Sequence, residues 1–173
     1  MKHTNNVDIT FDEIVNTAAA QLRELGFKRK RISFQLVSDG NCGIIGFQRS
    51  TSNTKDRIRF TVNIDILCGE FLDACPSGLP KASASEAHVH LRIGFLLPEG
   101  YDKWWEITNT TSSVCLAQEV TGVIVAYAVP YITAHLSTGS IIALWESGQC
   151  PGLTDYQRVN YLAQLKANRG AIV

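Results

Sequence analysis

The segment EAHVHLRIGFLLPEGYDKWWEI, residues 86–107, carries two histidines one residue apart, His88 and His90. On a β-strand such residues share a face with Cα atoms roughly 6.5 Å apart, which is close enough for both imidazoles to reach one ion. Cys68 and Cys75 lie upstream and complete a set with the ligand types of a Cys2His2 zinc site. The cysteines are spaced more widely, and the histidines more tightly, than in zinc fingers. The spacing therefore favours an exposed strand face with two buried thiols, and we predict no metal and no cofactor.

Thiol catalysis is the other chemistry that these residue types suggest, with Cys42 as nucleophile and His88 or His90 as base. A nucleophilic cysteine normally lies at a helix N-terminus or beside a cation, where the thiolate is stabilised. Cys42 instead falls in GNCGIIGFQ, the start of a predicted strand. The pattern favours a protein that is not an enzyme. A Cys/His enzyme or zinc protein that uses Cys42, or Cys68, Cys75, His88 and His90, stays the alternative.

Polar residues alternate with apolar ones in RIRFTVNIDIL (57–67) and in HVHLRIGFL (88–96). This alternation predicts two strands that are buried on one face, with Val89, Leu91, Ile93 and Phe95 turned inward from the second. If the strands share a sheet, their other face is positive and partly titratable. Its candidate residues for binding an acidic protein or a small anion are Arg57, Arg59, Asn63, His88, His90 and Arg92. The alternative is an ordinary solvated face, or one covered by a helix with an Asp65–Arg92 ion pair.

The composition limits the class of protein. The chain has 173 residues, 45% of them hydrophobic, and a formal net charge of zero. These values predict one globular domain over residues 1–173 and give no electrostatic reason to expect nucleic acid or membrane binding. Five cysteines without a Cys-x-x-Cys pair indicate reduced thiols. The N-terminus lacks the apolar run of a signal peptide, and the apolar stretch 114–129 is shorter than a bilayer span, so we expect a cytoplasmic protein.

The elements that position the candidate residues can be read from periodicity. Apolar residues at helical spacing from Phe11 to Leu25 predict a first helix, with a capping box of Thr10 and Glu13 and a stop at Gly26. The run KRKR (28–31) is predicted to be a solvated turn. About four or five alternating strands follow, and their single apolar faces indicate an antiparallel sheet. Gly43 and Gly46 in the second strand indicate a bulge or a close backbone approach.

The last third of the sequence is helical in pattern. A mostly apolar helix from about Ser113 is predicted to kink or end near Pro130, and the final helix opens with Thr154 and Gln157. The predicted fold is therefore α+β: a curved antiparallel sheet packed on one face by an N-terminal helix and C-terminal helices. Helix and sheet occupy about residues 8–107, and the C-terminal helical part about 112–170.

Several segments together, LGFKRKRISF, IIGFQRS, FTVNIDI, RIGFL and WWEI, resemble a bacterial family catalogued as domain-of-unknown-function family 4304. The resemblance covers roughly residues 10–107. It implies a small α+β domain of bacterial origin, and it implies no reaction and no catalytic residue. Trp104 and Trp105 in the last segment face opposite sides if extended, so that one fills the core and the other stays near the surface. If helical, they lie about 100° apart and both can pack in the core. We interpret the chain as a non-enzymatic binding module for an acidic partner or a small anion.

Overall fold

A computed structural model of the protein describes residues 6–72 and 86–170. Cys75, part of the alternative zinc set, lies outside these residues. The helices are α1 (Asn6–Glu24), α2 (Ser113–Val123), α3 (Val129–His135), α4 (Thr138–Glu146) and α5 (Asp155–Gly170). The strands are β1 (Lys28–Lys30), β2 (Ser33–Ser38), β3 (Asn41–Arg49), β4 (Arg57–Leu67), β5 (Val89–Arg92) and β6 (Trp105–Thr108). Short 3₁₀ turns lie at Gly69–Phe71 and Ile93–Leu96, and a π-helical turn, Ile124–Ala128, joins α2 to α3.

In the described part of the chain, six strands form one open antiparallel sheet in the order β1-β2-β3-β4-β5. The sixth strand, β6, also pairs with β4. Residues 63–66 of β4 pair with β5, and residues 57–60 pair with β6, so the two short strands lie end to end along one edge. This arrangement confirms the predicted α+β fold.

The hydrophobic core lies between one face of the sheet and the helices. The inward residues of β4 from Ile58 to Ile66 are fully buried, as the alternation predicted. Phe11 of α1 packs edge-on against Phe60 at 5.4 Å between ring centroids, and Trp105 of β6 stacks on Phe60 at 5.6 Å. Burying one such side chain contributes about 1.5–3 kcal/mol, so this layer provides much of the stability of the sheet.

Two boundaries at the N-terminal end differ from prediction. Helix α1 begins at Asn6, and Thr10 is a buried residue inside it rather than its cap. The reason is Val7, which lies four residues before Phe11 and extends the apolar stripe by one turn. The predicted solvated turn at KRKR is largely strand β1, which is exposed and pairs with β2 across Arg31, whose φ is 58°.

The long apolar helix does not end at Pro130. The preceding π-helical turn is closed by a hydrogen bond from the Val129 N–H to the Ile124 carbonyl. A proline ring clashes with the carbonyl four residues earlier, and this wider turn relieves that clash. The run Ser113–His135 is therefore long and apolar enough to cross a membrane, and the sequence argument from a short apolar stretch is wrong. One such helix is weak evidence for a membrane protein, because core helices of soluble proteins pass the same test.

Candidate functional site

The pairing of β4 with β5 decides which side chains share a face. Asn63 lies opposite Arg92, and Asp65 lies opposite His90. Directly opposite residues of an antiparallel ladder project from the same side of the sheet. We define the polar face as the side that bears Arg57, Arg59, Asn63, Asp65, His90 and Arg92.

Trp104 lies on the polar face next to two guanidinium groups. The guanidinium carbon of Arg92 lies 5.1 Å from the centroid of the Trp104 ring system, and that of Arg59 lies 5.6 Å from it. Both distances fall within the range of cation–π attraction. The indole N–H of Trp104 and Nη1 of Arg92 donate to the same oxygen of Asp102, at 2.9 and 2.7 Å. Arg59, Arg92, Asp102 and Trp104 are called the arginine–tryptophan cluster below.

The residues on either side of Trp104 in the chain, Lys103 and Trp105, are both held by hydrogen bonds. The hydroxyl of Thr61 in β4 donates to the Lys103 carbonyl at 2.7 Å, which holds the chain against the polar face just before Trp104. Trp105 then turns to the opposite side, where it is buried and donates from Nε1 to Glu119 at 2.8 Å. The two tryptophans therefore divide between surface and core, as expected for an extended pair.

Carboxylates compensate some of the cations on the polar face. Arg92 pairs with Asp102 at 2.7 Å, and Arg57 lies 3.8 Å from Glu106. Arg59 is exposed and forms no ion pair with any of the described residues. Glu106 lies opposite Arg59 in the β4–β6 register but pairs with Arg57, so an incoming carboxylate can reach the Arg59 guanidinium without displacing another one.

His90 forms a close pair with a buried carboxylate. Its Nδ1 lies 2.5 Å from Oδ1 of Asp65, whose side chain is only 1% exposed. Burial raises the pKa of Asp65, and the hydrogen bond and charge of His90 oppose that rise. The Asp65–Arg92 ion pair of the alternative interpretation is not formed, because His90 lies directly opposite Asp65 in the register.

His88 does not join the polar face, and the prediction that placed it there is wrong. Its ring is buried against Phe71 and Tyr161, with centroids 5.0 and 5.2 Å away, and its Nδ1 accepts the Cys68 N–H at 3.1 Å. Burial lowers the pKa of His88. The two histidines therefore face different partners, and residues 6–72 and 86–170 contain no group of three or more His, Cys, Asp or Glu that could hold a metal.

Asn63, the remaining candidate, donates from Nδ2 to Oε1 of Gln48 on β3 at 2.8 Å. The far end of the same side of the sheet is apolar, because Cys42, Ile44 and Leu67 form a small buried cluster there. Burial raises the pKa of the Cys42 thiol to about 11. This cluster bounds the polar face at the Leu67 end of β4, and Lys28 and Lys30 of β1 lie on the same side at the other edge of the sheet.

Sequence reasoning missed Asp102 and left Trp104 undecided between core and surface. Both lie between β5 and β6, and their contacts depend on how the chain reverses there. The only sequence signal was the Trp-Trp pair, which in an extended segment must place one indole on each side.

The sheet carries helices on its apolar face and the arginine–tryptophan cluster on the other, which defines an α+β protein with a candidate surface site. A sequence model of the family described as domain of unknown function DUF4304 matches residues 18–134, more than half of the chain. The chain therefore belongs to the DUF4304 family. The match covers the sheet and extends beyond the predicted resemblance to the end of α3. No curated protein and no solved structure matches the chain.

Proposed function

We propose that this protein is a non-enzymatic binding module whose polar face recognises an acidic protein partner, with a small anion as a simpler version of the same ligand chemistry. We further propose that it works in the bacterial cytoplasm, with Ser113–His135 as a core helix. Ile124, Ala128 and Ile132 of that helix are fully buried, and 28% of its most apolar 18-residue window is buried, so the helix packs on the core along one side.

The observation that carries the proposal is the arginine–tryptophan cluster. Tryptophan and arginine are the residue types most enriched among interface residues that dominate binding energy. The Trp104 ring lies within cation–π distance of Arg59 and Arg92, and this contact holds the two side chains before a partner arrives. Restricting long side chains in advance lowers the entropy cost of association.

The chemistry of the cysteines supports this proposal over the Cys/His enzyme. A thiol with a pKa of about 11, as for Cys42 and Cys68, carries very little thiolate at neutral pH. Sγ of Cys42 contacts the Gly43 carbonyl at 3.9 Å, and His88 and His90 bond elsewhere. A nucleophile needs a base within hydrogen-bond reach, and the described contacts of Cys42 include none.

A defined acidic peptide tests the proposal directly. Binding of fluorescein-labelled decaglutamate would be measured by anisotropy for the wild type, for Arg59→Ala and for Arg23→Ala. Arg23→Ala removes the same charge from the exposed end of α1, which packs against the opposite face of the sheet. We expect Arg59→Ala to weaken binding about tenfold and Arg23→Ala to change it less than about twofold. Equal losses in both variants would show a response to net charge alone and would refute the proposal.

A further inference from the structure

The edge of the sheet beside β5 opens into a cavity of about 530 Å³, a size typical of small-molecule sites. The 3₁₀ turn after β5, helix α3 and the loop between α4 and α5 form its walls. Its position differs from that of the arginine–tryptophan cluster, although Arg92 contributes to both.

One part of the cavity wall is apolar. Leu91, Leu96 and Phe95 line it, and Phe95 is 59% exposed. The prediction that Phe95 points into the core is wrong, because β5 ends at Arg92 and the chain turns into Ile93–Leu96. A phenylalanine left in water beside two half-buried leucines is a surface that an apolar ligand body can cover.

The cavity also offers hydrogen-bond donors that lack acceptors. The hydroxyl of Tyr131 is buried, and it has no hydrogen-bond partner among the described residues. Leaving a buried hydroxyl unsatisfied is costly, and burial raises the pKa of this phenol, so it remains a neutral O–H donor. The hydroxyl oxygen itself is not exposed, so an acceptor atom in the cavity would satisfy it after a turn of the Tyr131 side chain towards the cavity.

A second donor follows from the strand geometry. The N–H of His90 donates to the Pro151 carbonyl at 2.9 Å, on the side of β5 away from β4. N–H groups two residues apart in a strand point the same way, so the N–H of Arg92 also points away from β4. Within the described part of the chain this N–H has no hydrogen-bond partner.

The charges around the cavity indicate the sign of the ligand. His90 and Arg92 line it, whereas no Asp or Glu of the described residues does. His90 pairs with Asp65 and Arg92 with Asp102, but neither carboxylate lines the cavity, so the lining favours an anion over an amine. We propose that the cavity binds a small monocarboxylate with an aromatic or aliphatic body, its carboxylate towards Arg92 and the Tyr131 hydroxyl and its body against Leu91, Phe95 and Leu96.

An NMR titration with 3-phenylpropanoate locates the site on the wild-type protein. We expect saturable binding with a Kd of about 1 mM or tighter, as for a good ligand of fragment size. Amide shifts should concentrate at Arg92, Phe95 and Gly152. The neutral analogue 3-phenylpropanamide should bind about fivefold more weakly, because it lacks the charge. Absence of saturable shifts at these residues, or equal affinity for the two compounds, would overturn the proposal.

Two variants separate this cavity from the polar face. Tyr131→Phe removes only the hydroxyl and should weaken 3-phenylpropanoate about three- to tenfold, whereas Tyr127→Phe, on the same helical run, should leave the affinity unchanged. Arg59→Ala tests the polar face and should not alter 3-phenylpropanoate binding, so the two proposals can fail independently. Equal affinities of Tyr131→Phe and Tyr127→Phe would contradict the assigned role of the hydroxyl.

Discussion

Nδ1 of His90 lies 2.5 Å from a carboxylate oxygen of Asp65, and these two residues face each other across the β4–β5 ladder. The carboxylate is almost completely buried, whereas the His90 side chain is 43% exposed. The pair thus joins a buried acid to a titratable group at the surface, next to both proposed binding regions.

Replacing His90 with alanine should destabilise the protein because it leaves the Asp65 carboxylate without its partner. We expect the free energy of unfolding to fall by about 1–2 kcal/mol, the lower part of the range for an unsatisfied buried group, since His90 itself is partly solvated. Urea denaturation measures this change. Adding Asp65→Asn to His90→Ala should recover part of the loss, because the buried group is then neutral. A double variant less stable than His90→Ala would contradict this account.

The loop between α4 and α5 packs on the same histidine. Gly152 has a φ of +83°, and a Cβ built on it would lie 2.6 Å from Cβ of His90. Gly148, in the same loop, has a φ of +85° but has open space around its Cβ position. Both alanine variants carry the same backbone strain. Gly152→Ala should therefore be about 1–3 kcal/mol less stable than Gly148→Ala, roughly the cost of an overpacked contact. Equal thermal denaturation midpoints for the two variants would show that this contact is not tight.

A second pair of glycines tests the packing of α3 on the sheet. Ile132 of α3 lies directly over Gly43 of β3, where an added Cβ would clash with its Cγ2 atom, whereas Gly46 has open space. Gly43→Ala should lower the free energy of unfolding by about 1–3 kcal/mol, and Gly46→Ala should change it by less than about 0.5 kcal/mol. Chemical denaturation compares them. A larger loss of unfolding free energy in Gly46→Ala than in Gly43→Ala would show that α3 does not pack over Gly43.

Burial of His88 should make stability fall on acidification. Desolvation lowers the pKa of His88 below its ordinary value of 6.5, opposed in part by the charge of Glu86. Between that lowered pKa and 6.5, the unfolded chain therefore binds more protons than the folded one, and stability decreases as the pH falls. His88→Asn keeps an acceptor for the Cys68 N–H and removes this titration. From pH 6.5 to 5 the unfolding free energy of His88→Asn should vary less steeply than that of the wild type. The difference between the two slopes should be at most about 1.4 kcal/mol per pH unit. Identical slopes in the two proteins would contradict a buried neutral His88.

Much of the fold follows from local periodicity. The alternation of β4 identified its buried face, Gly26 ends α1 with a φ of +88°, and Thr154 and Gln157 form a capping box at α5. Each of these features depends on residues a few positions apart, so the sequence contains its cause. The exit from β5 depends on distant contacts: Gly94 lies against the backbone of Tyr101 and Lys103, where no side chain fits. Simple alternation therefore placed Phe95 in the core incorrectly.

For the candidate site, too, local alternation was predictable from the sequence and distant contacts were not. Alternation placed Arg59, His90 and Arg92 on one face if the two strands share a sheet, and the β4–β5 pairing of the structure fulfils that condition. The position of His88 was not predictable, since its ring packs against Tyr161 of α5, 73 residues further along the chain. The same holds for Trp104, whose contacts require the chain to return from β5 to β6 along the edge of β4.

The indole N–H resonances of the protein give the most direct test of the binding proposal. Trp104 lies in the arginine–tryptophan cluster, whereas Trp105 and Trp145 are buried in the core. When unlabelled decaglutamate is added to ¹⁵N-labelled protein, we expect the Trp104 indole signal to shift saturably while those of Trp105 and Trp145 stay in place. An unmoved Trp104 signal, or equal shifts of all three, would contradict the proposal that the polar face is the binding surface.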